Sequence, residues 1–220
     1  MATKFVKMKI TLDKVMPFPL ASMQHGDNSI WGKHTELLPG NKVMLNASSG
    51  KGKTTFINTV LGIRSDFAGS VTFDAADIKN LSTSDWTNIR QRKISAIFQD
   101  LQLFPSVSVK ENLLLKNNLS LTFTTKQILD LLDFIGIADK WEQQCGLLSM
   151  GQQQRVAIIR ALCQPYEWLL MDEPFSHLDE DNTQRCLKLI LDRCAELKSG
   201  FVLTSLGDYH GIKYDQTLML

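Results

Sequence analysis

Residues 42–55, KVMLNASSGKGKTT, constrain this chain more than any other stretch. Lys42–Asn46 reads as an apolar strand. It runs into a loop of small residues, then Gly52-Lys53-Thr54, then the helical pattern FINTVLG. Strand, small-residue loop and helix start together make a phosphate cradle. Across the loop Ser48, Ser49, Gly50, Lys51 and Gly52, mostly small residues let backbone N–H groups turn inward onto phosphate oxygens, and the helix N-terminus adds its dipole. Lys53 supplies a cation to the β- and γ-phosphates. The Thr54 hydroxyl suits Mg²⁺, and Thr55 offers a further phosphate contact. The pattern G-x-x-x-x-G-K-[ST] expects glycine where this chain has Ala47. Alanine there costs little if φ is negative and about 1 kcal/mol or more if it is positive. Because Gly50 and Gly52 remain, the loop is expected to survive. The motif specifies a nucleoside triphosphate, but not which one or to what end.

The chain has 220 residues, and 24 basic against 23 acidic side chains give a net charge of +1. That length fits a single domain over 1–220. With 44% hydrophobic residues there is enough apolar surface for a core, which excludes the disordered class. The balanced charge argues against a protein that coats nucleic acid or a lipid surface. No apolar run approaches the roughly 18 residues of a bilayer span, so no direct membrane insertion is expected. The opening MATKFVKMKITL alternates Lys with apolar residues and lacks the h-region of a signal peptide. It reads as a strand in a cytosolic protein. Cys145, Cys163, Cys186 and Cys194 show no metal-ligand spacing and read as free, buried or half-buried thiols.

Strand-like runs alternate with helical ones, which predicts a mainly parallel α/β sheet. Strands are expected at 5–12, 42–46, 70–74, 94–98, 168–171, 201–204 and 216–220. The clearest helices begin near Lys53, Gly151 and Glu180. Strand signals fade between Leu101 and Ser149, predicting a mostly helical subdomain inserted at about 101–158. Residues 24–33, QHGDNSIWGK, read as an exposed loop.

Segment 168–173, WLLMDE, is a short apolar strand ending in two carboxylates. Side chains alternate along a strand, so Asp172 and Glu173 are expected to do different jobs. Asp172 fits a Mg²⁺-holding role. Glu173 is placed to polarise an attacking water as general base, which separates a hydrolase from a pure binder.

Three further segments carry a family resemblance. Leu148-Ser149-Met150-Gly151-Gln152 resembles the LSGGQ signature of ATP-binding cassettes, with Met150 in place of the first signature glycine, and runs into QQRVAIIRAL. Ile97-Phe98-Gln99 followed by DLQLFPSVSVKENLLL resembles their Q-loop region. Phe175-Ser176-His177-Leu178-Asp179 resembles their D-loop. The resemblance covers nearly the whole chain, with the motifs in the family's order. It implies an α/β P-loop NTPase fold of the ABC nucleotide-binding type, with a mostly helical inserted subdomain and an N-terminal β-rich part. It further implies an ATPase that binds ATP and Mg²⁺ and works as a homodimer beneath an integral-membrane permease subunit, which docks near the Q-loop. The place implied is the cytoplasmic face of the cell membrane, and nucleic acid is not an expected partner. Ser149, Gly151 and Gln152 would close in trans on the other subunit's ATP. Gln99 would reach Mg²⁺ or the attacking water. Ser176 and Asp179 would work at the dimer interface, Asp179 doubling as a helix N-cap.

Two of the family's features are blurred. The His that follows its next strand is replaced here by Ser205, after Thr204, and His210 lies five residues on, near enough to fold back. A weaker γ-phosphate contact would make a nucleotide-gated dimerisation switch with little hydrolysis the alternative to a motor. The adenine-stacking residue is also open: Gln24 stands near the place by spacing, with Phe18, His25 and Trp31 as further candidates. The stretch DIKNLSTSDWTNIRQRKISAIFQDLQLFPSVSVKENLLL resembles the lipoprotein-release and macrolide-export branch most, small importer cassettes next.

Overall fold

The computed structural model describes residues 7–48, 50–205 and 207–220. In chain order they form β1 (Ile10–Pro17), β2 (His34–Leu37), β3 (Lys42–Asn46), α1 (Lys53–Val60), β4 (Phe67–Phe73), β5 (Ala76–Asp77), α2 (Thr83–Arg92), β6 (Ile94–Ile97), α3 (Val109–Asn117), α4 (Thr125–Phe134), α5 (Met150–Leu162), β7 (Trp168–Asp172), α6 (Glu180–Leu197), β8 (Gly200–Ser205) and β9 (Gln216–Met219).

Two sheets organise these elements. The central one has the order β6-β7-β8-β3-β9, and every pairing in it is parallel. The second is antiparallel, in the order β2-β1-β4-β5. The central strands are covered on both faces, which is why they read as continuous apolar runs rather than alternating ones. Val43, Leu45, Trp168, Leu170 and Val202 face a core shared with α1, β1 and β4. Met44, Leu169, Met171, Phe201 and Leu203 face the opposite core, shared with α3 to α6. Trp168 also donates its indole N–H to the Met8 carbonyl at 2.7 Å, fastening the chain before β1 to the central sheet.

Helix starts follow their caps. Ser82, Ser108, Thr124 and Ser149 each accept from the N–H three residues on, and that residue's side chain reaches back in a capping box. Among the described residues no named strand lies between β6 and β7, and α3, α4 and α5 fill that interval.

Some local expectations need correcting. The first strand runs from Ile10 to Pro17, not over 5–12, and Phe5 lies outside the described residues. β1 continues past Asp13 because a bulge there, with Lys14 at φ 50°, absorbs the charged pair and keeps both flanks in register with β4. The short β2 was not anticipated, since HTEL is half polar. Segment 24–33 is only partly an exposed loop: Ser29, Ile30 and Trp31 are buried, and Ser29 bridges to Met219.

All four cysteines are buried and unpaired. Burial pushes the thiol of Cys145 up to about 11 and those of Cys163 and Cys186 up to about 12, and raises that of Cys194. The thiolate is the reactive form. A disulfide reagent at neutral pH should therefore leave the native protein essentially unlabelled over minutes, and should titrate all four thiols in guanidinium. Rapid labelling of any one in the native protein would contradict this packing.

Candidate active site

β3 delivers the phosphate loop from the middle of the central sheet. Ala47 is buried, keeps φ out of the left-handed region and donates its N–H to the Ser205 carbonyl at 3.4 Å. The missing glycine therefore costs the loop little. Gly50 and Gly52 do adopt left-handed φ, of 78° and 103°. A Cβ on Gly52 would stand 2.6 Å from a Leu20 methyl and 3.3 Å from the Trp31 ring, so that glycine is required by close approach as well as by φ. Ser49 lies outside the described residues. Ser48 and Gly50 are exposed, and Lys51 is half-buried.

Lys53 opens α1, and its side chain is almost wholly buried. Its ammonium donates to the Ala47 carbonyl at 2.9 Å and stands 3.0 Å from the Glu173 carboxylate. The next residue, Thr54, donates its hydroxyl to Asp172 Oδ2 at 2.5 Å. Asp172, 1% exposed, also accepts from the Thr204 hydroxyl at 2.8 Å. Phosphate lysine, threonine and both carboxylates thus meet across the ends of α1, β7 and β8. Gln99 joins them: with Gly50, Gly52, Lys53, Thr54, Thr55 and Glu173 it lines a cleft of about 260 Å³. It also shares a larger neighbouring cavity with Thr54 and Asp172. Just beyond Gln99, Leu101 and Gln102 take left-handed φ, and the Arg160 guanidinium clamps both their carbonyls, at 2.8 and 2.6 Å.

The donors around Thr54 fit magnesium. A hydroxyl, one buried carboxylate and an amide oxygen are hard oxygen ligands, and Mg²⁺ usually takes one or two carboxylates together with substrate phosphates and water. Among the described residues no group of three His, Cys, Asp or Glu gathers to hold a metal by itself.

Strand alternation does not govern Glu173. It lies one residue past β7 at φ 48°, so a left-handed turn, not the pleat, aims its carboxylate at Lys53. Such a conformation costs on the order of 1–3 kcal/mol and persists where surrounding bonds over-determine it. Here those bonds are visible. The Glu173 N–H donates to the Thr204 hydroxyl at 3.1 Å, and its carbonyl accepts from the Gln154 amide at 3.3 Å. Gln154 is fully buried on α5. It also donates to the Ser176 hydroxyl at 3.3 Å and accepts the His177 N–H at 2.9 Å. One side chain thus ties the helix after Ser149 to the turn that carries Glu173. Reading the sequence did not single out Gln154. A polar residue amid the apolar face QRVAII was the available signal.

Ser149, Gly151 and Gln152 sit at the start of α5 and do not line the Lys53 cleft. Gly151 abuts the 175–179 turn, where a Cβ would meet the His177 carbonyl at 2.8 Å. Ser176 is exposed there, and Asp179 caps α6 by accepting the Asn182 N–H at 2.8 Å. That bond, with the Asn182 side-chain amide, holds the Asp179 carboxyl below its usual range. Ser205 ends β8 buried, its hydroxyl accepting the Asp208 N–H at 3.0 Å. Beside the phosphate loop, Trp31 is packed against Phe56, whereas the Phe18 ring is open to solvent, Gln24 is exposed and His25 bonds the Leu20 carbonyl.

Comparison with known proteins identifies the family. Residues 33–176 match the family model described as ABC transporter. An uncharacterized ABC transporter ATP-binding protein of Mycobacterium tuberculosis (strain CDC 1551 / Oshkosh) is 34% identical over 162 residues, 72% of this chain and 49% of its own. The Fe(3+) ions import ATP-binding protein FbpC of Photorhabdus laumondii is 35% identical over 188 residues, 82% of this chain and 50% of its own. The chain spans about half the length of these curated relatives. Among solved structures, the dimeric bacterial cassette MJ0796 superposes with a TM-score of 0.74 at 25% identity, covering 89% of this chain and 87% of that one. The same cassette is also known in a post-hydrolysis state with ADP and phosphate, at a TM-score of 0.73 and 25% identity over 90% of this chain and 88% of that one.

Proposed function

We propose, because this chain belongs to the ABC transporter family, that it is an ATP-binding and ATP-hydrolysing subunit driving a separate membrane permease. The observation that carries the reading is the meeting of Lys53, Thr54, Asp172 and Glu173 at one cleft, with Lys53 3.0 Å from Glu173 and Thr54 2.5 Å from Asp172. Lys53 and the loop amides hold the triphosphate. Thr54, Asp172 and Gln99 would hold Mg²⁺, which when bound would supply positive charge to offset that of the phosphates. Glu173 takes a proton from water as the water oxygen bonds to the γ-phosphorus. The bond from that phosphorus to the bridging oxygen breaks, giving ADP and phosphate.

The unit is one nucleotide-binding domain over 1–220 that works as a homodimer. Ser149, Gly151 and Gln152 of each copy close on the ATP of the other, with Ser176 and Asp179 at the seam. Ser205 stands beside Glu173 at the end of β8. Of the aromatic candidates for stacking adenine, we favour Phe18, whose ring is exposed. The permease docks in a groove of about 280 Å³ beside Gln99, floored by Phe98, Phe104 and Leu115 and flanked by Arg90, Lys116 and Arg160. Among the described residues no helix is long and apolar enough to cross a membrane. In this reading the subunit sits on the cytoplasmic face of the cell membrane through that permease. The 77–115 stretch favours the release and export branch, whereas the FbpC likeness favours import.

The test is phosphate release from Mg-ATP by the purified chain, together with size-exclusion chromatography in ATP and in ADP, beside Lys53→Ala. We expect ATP-dependent dimers and turnover, with Lys53→Ala losing nucleotide affinity by about a hundredfold, as removal of an ionic phosphate contact does. A chain that neither binds nor cleaves ATP, and that Lys53→Ala leaves unaltered, would sink the reading.

A further inference from the structure

The structure assigns to Gln154 a positioning role in ATP cleavage: its buried amide holds the turn that aims Glu173 at the Lys53 cleft. The inference rests on the ATPase reading above, with Glu173 as general base. Gln154 lies in the first turns of α5, three residues past Gly151. It is wholly buried and does not line the Lys53 cleft, so it can act on the reaction only through other groups. A buried primary amide is costly unless it is hydrogen-bonded. Here its bonds run to one place, the turn over residues 173–177.

The chemistry of that turn fixes which way the amide faces. The His177 N–H can only donate, and it lies 2.9 Å from Gln154 Oε1. The Glu173 carbonyl can only accept, and it lies 3.3 Å from Nε2. Exchanging the amide oxygen and nitrogen would set donor against donor and acceptor against acceptor. Gln154 thus clasps the turn at its first and last residues, and Nε2 also reaches the Ser176 hydroxyl between them. Glu173 needs the clasp, because its φ of 48° is unfavourable for a residue with a Cβ. The other side-chain hold on its backbone is the Thr204 hydroxyl, which accepts the Glu173 N–H and also donates to Asp172. Thr204 therefore serves two carboxylate residues, whereas Gln154 acts on the turn alone. Released from Gln154, residue 173 can relax towards an extended φ, and its carboxylate then leaves the line to Lys53. Gln154 sets where the base stands, not how tightly the nucleotide binds.

A double-mutant cycle on turnover separates this role from packing. Phosphate release at saturating Mg-ATP is measured on the full chain for the parent, Gln154→Met, Glu173→Gln and the double variant, with ATP affinity by calorimetry. Methionine fills the volume of glutamine and carries no amide. In the parent background kcat should fall by about tenfold to a hundredfold, the upper figure being the cost of misplacing a reacting group by about 1 Å. ATP affinity should stay within about threefold, as for a residue that serves the transition state rather than binding. In the Glu173→Gln background no base is left to aim, and Gln154→Met should change the residual rate by less than about twofold. An equal fold loss in both backgrounds would show that only the packing of α5 is at stake and would overturn the role. So would an unchanged kcat in the parent background, or a loss of affinity as large as the loss of turnover. Should Gln154→Met fail to fold, Gln154→Asn, whose amide stops one methylene short of the turn, is read in the same cycle. Turnover by Glu173→Gln equal to the parent's is a different failure. It removes the base itself, and the inference with it, before any Gln154 variant is read.

Discussion

Glu173→Gln lowers Mg-ATP turnover about a thousandfold, within the span that general-base catalysis contributes, and tightens ATP binding. Glutamine preserves the volume and the left-handed turn, whose bonds are all to backbone atoms of residue 173. It cannot take the proton of an attacking water. The gain in affinity has a separate cause. The Lys53 ammonium is paired with Glu173 at 3.0 Å, both side chains being largely buried. A phosphate and that carboxylate are both anions drawn to the same lysine, so the Glu173 charge competes with binding. Removing the carboxylate's charge weakens the competitor. Phosphate-release assays on the two proteins give the first effect and nucleotide titration the second. Turnover by the variant above about a third of the parent's would show that another group takes the proton.

Gly69→Ala destabilises the fold by about 3 kcal/mol or more, since strained φ and overpacking each cost on the order of 1–3 kcal/mol. Gly69 has φ 82°, and a Cβ there would lie 2.5 Å from the Asp13 carbonyl oxygen and against the Lys14 carbonyl. Both obstacles are backbone, on the bulge by which β1 stays in register with β4. They cannot rotate away as a side chain would. For a chain of this size the melting temperature should fall by roughly 10 °C. Thermal unfolding followed by circular dichroism measures it, and a shift under about 2 °C would mean the bulge adapts. The loss reaches the site, because β1 leads into Phe18 and Leu20, and Leu20 lies against Gly52.

What could be read from the sequence was what the chain keeps local. Lys53 and Thr54 follow their strand within a few residues, and β3 appears over the expected 42–46. The caps that start α5 and α6 were legible for the same reason: each needs only four consecutive residues. The orientation of Glu173 was not legible. It depends on Thr204 and Gln154, brought from β8 and α5, and a strand rule extended one residue too far pointed the side chain by the pleat. Trp31 was read in an exposed loop because its neighbours are polar, yet the cover over Gly52 and Phe56 comes from distant parts of the chain. The turn after Ser205 was open at the sequence level because no periodicity describes it, and its course depends on the contact of Asp208 with His210 and on the Phe175 ring in another loop.

In the central sheet, β3 lies between β8 and β9, with Lys42 opposite Phe201 and Val43 opposite Gln216. The strand that carries the phosphate loop therefore has open edges on both sides until residues 200–219 arrive. Pairing across so long a separation pays its loop-closure entropy before any contact rewards it. On the ribosome, a nascent chain already displaying its lysine loop, Gln99 and Ser149 still holds an unpaired apolar strand, the kind of edge that chaperones cover. A chain released before β9 is left with an open, aggregation-prone edge on the strand that carries the phosphate loop.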